Sequence, residues 1–311
     1  MSEAVIETFG LTRFFGSQCA VDQVTLRVPR GSVFALLGRN GSGKSTFIRM
    51  LLGLLVPTRG AARMLGEDCG HLTAATRGRV GYVAEGHPLI DWMRVDQLES
   101  FQRSFYPNWN GRLFKNVVEQ FDLTPRSKAG QISRGQRAGL SLALVLATEP
   151  SLLIMDDPSM GLDPVARRTL LEAMILVTRD AGHTILLSSH VLDDVERVAD
   201  HVAILDRSVL RVCAPVETFR ARVKRVVLRF GTQAPAAANI PGLLESRRDG
   251  NELRLTLANY GAEAASAIAG LGAASVDEAP ITLEDAVVAY LGRRGEQVSL
   301  LQSTVLTGAA V

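Results

Sequence analysis

The chain has 311 residues, 47% hydrophobic and 21% charged, enough to bury a core without disulfide or metal staples and too balanced for bulk disorder. Its 34 Lys and Arg against 32 Asp and Glu leave a formal charge of +2, which argues against a surface dedicated to nucleic acid. Cys19, Cys69 and Cys213 are widely spaced with no CxxC pair, which speaks against a disulfide framework or a zinc site. No uninterrupted apolar run reaches the ~18 residues of a membrane-spanning helix. The nearest, Ala138 to Met155, is broken by Glu149-Pro150. Met1 to Gly10 carries acidic residues and lacks the basic start of a signal peptide, so a cytoplasmic protein is expected.

In chain order, Val5-Ile6 and then Val24, Leu26 and Val28 alternate as strands do, and Ser32 to Leu37 reads as a short buried strand. A Gly-rich segment follows, then a predicted helix over Phe47 to Leu55, ended by Pro57 and Gly60. Residues from about Trp92 to Asp122 carry apolar side chains at three- and four-residue steps and predict a helical block. Alternation then resumes: helix Arg137 to Thr148, strand Leu152 to Met155, helix Val165 to Thr178, strand Thr184 to Ser188, helix Leu192 to Ala199, strand Val202 to Leu205. Beyond Phe219 the composition shifts. A strand over Lys224 to Phe230, a turn at Asp249-Gly250 before Leu253, Leu255 and Leu257, an Ala-rich helix and a last helix over Leu283 to Leu291 predict a small α+β domain. The tail from Arg293 shows no clear pattern.

Gly38-Arg39-Asn40-Gly41-Ser42-Gly43-Lys44-Ser45 fits G-x-x-x-x-G-K-[ST] in full, between a predicted strand and a predicted helix. Glycines let backbone N–H groups turn inward on phosphate oxygens, and the helix N-terminus adds partial positive charge. Lys44 is the group for the β/γ-phosphates and the Ser45 hydroxyl for Mg²⁺. The pattern predicts a nucleoside triphosphate site made of Gly38 through Ser45 together with Thr46. Downstream, Leu152 to Met155 is an apolar run ending in Asp156 and Asp157, which places Asp156 to hold Mg²⁺ opposite Ser45.

Ile132-Ser133-Arg134-Gly135-Gln136-Arg137 resembles the signature motif of ATP-binding cassette (ABC) proteins, usually Leu-Ser-Gly-Gly-Gln, and begins 20 residues before the Leu152 strand, the order and spacing of that family. Other landmarks fall in the same order. Leu11 to Gly16 is similar to the segment whose aromatic residue stacks on adenine, with Phe15 at that position; core packing is the other reading of this Phe pair. Gly81-Tyr82-Val83-Ala84-Glu85 stands where the family has its Q-loop. Ser159-Met160-Gly161-Leu162-Asp163-Pro164 resembles the dimer-contacting D-loop, and Ser188-Ser189-His190 ends a strand as the family's switch histidine does. The resemblance covers about residues 3–215. Within the family the chain looks most like single-cassette subunits of ABC-2-type exporters, which also carry a small C-terminal domain. The expected fold is therefore an α/β P-loop NTPase cassette over residues 1–219, with a RecA-like core sheet and a helical subdomain at about 90–135. A small α+β domain over 220–292 and a tail over 293–311 complete it.

The resemblance implies an ATP hydrolase that uses ATP and Mg²⁺, the ion held by Ser45, Asp156 and Glu85. It also implies a second cassette as partner, because each ATP in the family lies between one phosphate loop and the other subunit's signature, here Ser133, Gly135 and Gln136. Asp163 stands in the contact between cassettes. Asp157 takes the place of the general base and His190 lies near the γ-phosphate. The pore is expected on a separate multi-span permease docked around Glu85 to Phe121, which puts this chain at the inner face of the cell membrane. Trp92, Tyr106 and Trp109 are there either as docking side chains or as core.

Three positions depart from the family pattern. Asp157 replaces the usual Glu; a general base displaced by about 1 Å can lose on the order of 10²-fold in rate, so a slow ATPase is one expectation and a compensating backbone the other. Glu85 replaces the Q-loop Gln. Arg134 replaces the first signature Gly and faces either the ATP of the opposite subunit or solvent. A non-transport or slow-turnover ABC ATPase, acting as an ATP-responsive switch, is the alternative function.

Overall fold

The alternating residues of the first thirty positions form a long antiparallel hairpin, β1 (Ala4–Phe15) and β2 (Gln18–Pro29), which hands the chain to a buried strand, β3 (Val33–Leu37). Next come α1 (Lys44–Leu51), β4 (Arg59–Met64), β5 (Glu67–Asp68), α2 (Ala74–Arg77) and β6 (Val80–Val83). Three helices follow, α3 (Val95–Arg103), α4 (Gly111–Gln120) and α5 (Arg134–Leu146). The strand–helix alternation then runs β7 (Leu152–Asp156), α6 (Pro164–Ala181), β8 (Thr184–Ser189), α7 (Leu192–Val198), β9 (His201–Asp206), β10 (Val209–Pro215) and α8 (Val216–Arg222). This is a computed structural model, and it describes residues 3–181, 183–235, 240–279 and 281–292. The tail from Arg293 lies outside the described residues.

One ten-stranded sheet has the order β5-β4-β1-β2-β10-β9-β3-β8-β7-β6. From β9 to β6 the neighbours are parallel. All residues of β7 and β8 are buried, as strands of a parallel sheet covered on both faces must be. Side chains alternate across it: Leu153 and Met155 join the core under α5, while Leu152 and Ile154 join the core that holds Phe47 and Ile48 of α1. The register sets Leu37 beside Ser189 and Asp156 beside Ser188. The carboxyl ends of β3, β7 and β8 thus meet at one edge, where open α/β sheets bind ligands.

Helices α3, α4 and α5 share a core of Val95, Leu98, Phe114, Val117, Val118 and Phe121 against the buried face of α5. Gly139, inside α5, marks the closest approach: a Cβ there would fall 2.1 Å from the Phe121 ring. The ~1 kcal/mol that a helix-interior Gly costs relative to Ala is offset by letting this ring lie on the helix backbone.

A second, antiparallel sheet has the order β12-β13-β11-β14, built from β11 (Val223–Arg229), β12 (Leu243–Asp249), β13 (Glu252–Ala258) and β14 (Ser275–Ala279). The helices α9 (Ala262–Ala269) and α10 (Leu283–Gly292) accompany it. Leu283, Ala286, Val287 and Tyr290 of α10 join a core with Val195 of α7 and Phe219 of α8, and the Phe219 and Tyr290 rings lie 5.5 Å apart. This second sheet is therefore packed onto the first unit through helices rather than strung from it.

Several predicted boundaries move. Helix α1 begins at Lys44, three residues before the expected Phe47, and ends at Leu51 rather than Leu55, because the phosphate loop itself supplies the first turn. The helical block breaks between Arg103 and Gly111, where Pro107 has no N–H to give a helix interior. Helix α5 begins at Arg134, not Arg137. Ser133 caps it, its Oγ accepting from Gln136 N while Ser133 N donates to Gln136 Oε1.

Candidate nucleotide-binding and hydrolysis site

The loop after β3 turns on Gly41 (φ 78°) and Gly43 (φ 106°), left-handed conformations that favour glycine. Gly43 is the N-cap of α1 and has no side-chain cap bond, which leaves the first helical N–H groups for another acceptor. Gly43 also has no room for a Cβ, which would fall 2.2 Å from the Ala20 carbonyl oxygen. Lys44 is 5% exposed, and its ammonium donates to the Gly38 carbonyl at 2.9 Å. Ser42 Oγ is buried with no hydrogen-bond partner. An unpaired hydroxyl, uncapped amides and a lysine around one loop are the donor set a phosphate group needs.

The loop is clamped from outside by Ser208, a residue that motif reading passes over. Its N–H donates to Ser42 O at 3.1 Å, its Oγ donates to Cys19 O at 2.7 Å, and its own carbonyl accepts from Asp22 N at 2.8 Å. Arg207 and Ser208 both have positive φ, 45° and 72°, in the tight turn between β9 and β10. That turn holds the phosphate loop and the β1–β2 hairpin in one piece.

The two acids after β7 diverge. Asp156 commits Oδ1 to Ser188 Oγ, which donates at 2.7 Å. Asp157 turns away in a left-handed backbone (φ 44°), a conformation Asp tolerates better than most residues. Its N–H donates to Ser188 Oγ at 2.9 Å. Its carboxylate then meets two partners: Oδ1 accepts from His190 Nδ1 at 2.8 Å, and Oδ2 lies 3.5 Å from Lys44 Nζ. Because a carboxylate only accepts, the proton of this bond sits on His190 Nδ1, which leaves Nε2 as the acceptor in the neutral ring. Ser188 is the second residue missed from sequence. Its signal is the strand register, which puts it opposite Asp156.

Lys44, Asp156, Asp157 and His190 are thus brought together, with Ser45 one residue along α1. Gly38, Arg39, Asn40, Gly41, Ser42, Gly43 and Thr46 form the loop and first turn around them. Phe15, 48% exposed, ends β1 beside the turn of the hairpin, with the Arg13 guanidinium 4.7 Å from its ring centroid. It is therefore an open aromatic face, not a core side chain. Glu85 is exposed in the turn after β6. Among the described residues no group of three or more His, Cys, Asp or Glu is arranged to hold a metal. Ser45, Asp156 and Glu85 supply hard oxygen donors of the kind that suits Mg²⁺ shared with phosphates rather than a dedicated cage.

The signature residues lie apart from this cluster, at the N-terminus of α5. Ser133 and Gln136 are occupied in the capping box, and Gly135 is buried where a Cβ would come 2.6 Å from Ala166 Cβ. Arg134 is exposed. Asp163 caps α6, its Oδ1 accepting from Val165 N at 2.9 Å and Ala166 N at 3.0 Å. Trp92 is 69% exposed, whereas Trp109 is half-buried 5.7 Å from the Phe114 ring, and Tyr106 is half-buried.

The model of the ABC transporter family matches residues 21–160. The Nod factor export ATP-binding protein I of Rhizobium sp. (strain N33) is 35% identical over 214 residues, 66% of this chain and 69% of that protein. The bacitracin transport ATP-binding protein BcrA of Bacillus licheniformis is 30% identical over 223 residues, 71% of this chain and 73% of that protein. Among solved structures, an ATP-binding subunit of an ABC transporter superposes with a TM-score of 0.64 at 27% identity, covering 70% of this chain and 92% of that one. With the phosphate loop, the paired acids and the strand-end histidine in place at one sheet edge, the chain belongs to the ABC transporter family as an ATP-binding cassette.

Proposed function

We propose that this chain binds and hydrolyses ATP to power export of a substrate through a separate membrane-embedded permease. The observation that carries the reading is the Lys44–Asp157–His190 cluster at the carboxyl edge of the parallel sheet. Gly38 through Thr46 hold the phosphates and Phe15 stacks on the adenine. Ser45, Asp156 and Glu85 hold Mg²⁺, which when bound neutralises charge on the β/γ oxygens.

Asp157 takes the proton of the attacking water, and the Nδ1–H bond from His190 fixes where that carboxylate points. Lys44 leaves the Asp157 carboxylate for the γ-phosphate when nucleotide enters, which frees the base for its task. Ser133, Gly135 and Gln136 of a second cassette complete each site, with Asp163 at the contact, so ATP closes a dimer and its cleavage opens it. Residues 1–219 do this work, and residues 220–292 form an accessory α+β unit.

Support for the transport role comes from relatives named for Nod factor export and bacitracin transport. Among the described residues no helix is long and apolar enough to cross a membrane, in keeping with a separate permease and a place at the inner membrane face. Trp92, Phe101 and Phe105, all exposed in the stretch of chain that follows Glu85, offer aromatic side chains for that partner. The test is isolation of the tagged chain from detergent-solubilised native membranes. A stoichiometric multi-span protein is the expected companion; a wholly partnerless chain contradicts the transport role and leaves ATP binding standing.

A slow-turnover switch is the second reading, and Asp157 favours it, being one methylene shorter than the family's Glu. Turnover below about 0.1 per minute, far under the usual enzyme range, with ATP-dependent dimerisation intact would support it.

A further inference from the structure

Between β6 and α3 the chain carries a histidine that the hydrolysis site does not use. His87 is 3% exposed in a left-handed backbone (φ 51°), and its Nε2–H donates to the Pro158 carbonyl at 2.9 Å. Pro158 directly follows Asp157 and is buried, so its carbonyl is a group whose hydrogen bond matters. The other ring nitrogen, Nδ1, is buried without a partner. A buried, half-satisfied imidazole in a strained backbone is costly to keep for packing alone.

The segment holding His87 is itself anchored. Arg137 of α5 donates through Nε to His87 O at 2.9 Å and through Nη1 to Ala129 O at 3.0 Å, and its Nη2 donates to Asp91 Oδ1 at 2.7 Å. One guanidinium thus ties the signature helix to the backbone of His87, and the His87 side chain ties that backbone to the residue after Asp157. Glu85 sits two residues away in the same loop.

We propose that His87 is a positioning residue for hydrolysis: with Arg137 it forms a relay that fixes the Asp157-Pro158 backbone to the Glu85 loop and to α5. Movement of α5 or of the Glu85 loop then reaches the carboxylate of Asp157 through two hydrogen bonds. The inference rests on the hydrolytic reading of this site. It adds a residue whose side chain lies outside the Lys44–Asp157–His190 cluster.

Full-length wild type, His87→Leu and His87→Gln are compared by steady-state MgATP hydrolysis and by hydrogen exchange at Met160 and Leu162, whose amides bond to Asp157 O and Ser159 O. His87→Leu is expected to lose about tenfold in kcat with KM unchanged, and to exchange both amides about tenfold faster. His87→Gln, whose side-chain N–H can reach the same carbonyl, is expected to return both readouts to within about threefold. Should the Leu variant fail to fold, His87→Asn, too short to reach Pro158, replaces it with the same expectation. Wild-type exchange at these amides in the Leu or Asn variant overturns the relay whatever the turnover. Equal losses in the Leu and Gln variants overturn it too, since packing rather than the hydrogen bond would then matter. A wild type without turnover overturns the hydrolytic reading instead, and the exchange readout still decides the relay.

Discussion

His190 Nδ1 and Asp157 Oδ1 lie 2.8 Å apart, and the other oxygen of the same carboxylate is 3.5 Å from Lys44 Nζ. A short, largely buried acid is thereby held between a cation and a histidine. That arrangement ties together the phosphate loop after β3, the strand β7 and the strand β8, and it makes the length of the acid a measurable variable.

If Asp157 is displaced from the best position for a base, lengthening it should help. Asp157→Glu is expected to raise kcat several-fold, within the ~10²-fold that a misplacement of about 1 Å can cost. Steady-state ATP hydrolysis reads it directly. An unchanged or lower rate in the Glu variant removes the idea of a slow enzyme and assigns the compensation to the left-handed backbone at Asp157.

Ser188 serves both acids, donating to Asp156 and accepting from the Asp157 amide. Ser188→Ala removes the donor to buried Asp156 Oδ1 and leaves the Asp157 amide only its 3.2 Å bond to the Ser188 carbonyl, and the expected loss is about 1–3 kcal/mol of stability with a fall in turnover. Urea unfolding gives the first quantity and ATP hydrolysis the second. A variant with wild-type values for both contradicts the assigned bridging role.

At Gly43 the positive φ and the Ala20 carbonyl 2.2 Å from a virtual Cβ act together. Gly43→Ala is expected to cost on the order of 2 kcal/mol or more and to abolish nucleotide binding. The thermal midpoint and titration with a fluorescent ATP analogue check the two parts separately.

Burial lowers the pKa of His87 and of His201 below the usual 6.5, so both resist protonation when folded. The unfolded chain takes up these protons first as pH falls through about 6.5, and stability should drop from there towards the lower folded values. The slope is up to about 1.4 kcal/mol per pH unit for each histidine. Urea midpoints between pH 7.5 and 5.5 should fall less steeply in His201→Gln than in wild type. Equal slopes contradict the assignment for His201.

Burial also pushes the Cys69 thiol up to about 12 and the Cys213 thiol up to about 11. Alkylation of the native protein at pH 8 is therefore expected to spare both, and mass spectrometry after denaturation should find all three cysteines reactive. Rapid native modification of Cys69 contradicts the packing of its 4%-exposed side chain.

Much of the candidate site was legible because its residues are contiguous: Gly38 to Ser45 and Leu152 to Asp157 each stand in one short run. The α/β alternation was legible for the same reason, since buried parallel strands read as unbroken apolar stretches. What escaped reading was held by distant partners. Ser188 acts on acids 31 and 32 residues away, and His87 reaches a carbonyl 71 residues on. Ser208 clamps a loop whose sequence gives no hint of it. Strand β4, Arg-Gly-Ala-Ala-Arg-Met, has little intrinsic strand preference and exists because β1 pairs with it. Helix α1 begins early because a glycine, not a capping side chain, starts it.

The most direct measurement is the solution mass of the Asp157→Asn chain by light scattering, with and without MgATP. With Asp157 as the proposed base, its removal is expected to slow cleavage by about 10²–10⁴-fold and so trap the closed pair. The mass should then double from 33.5 kDa on adding MgATP and return on its removal. A mass unmoved by saturating MgATP, with no turnover in the wild type, contradicts an ATP-driven cassette.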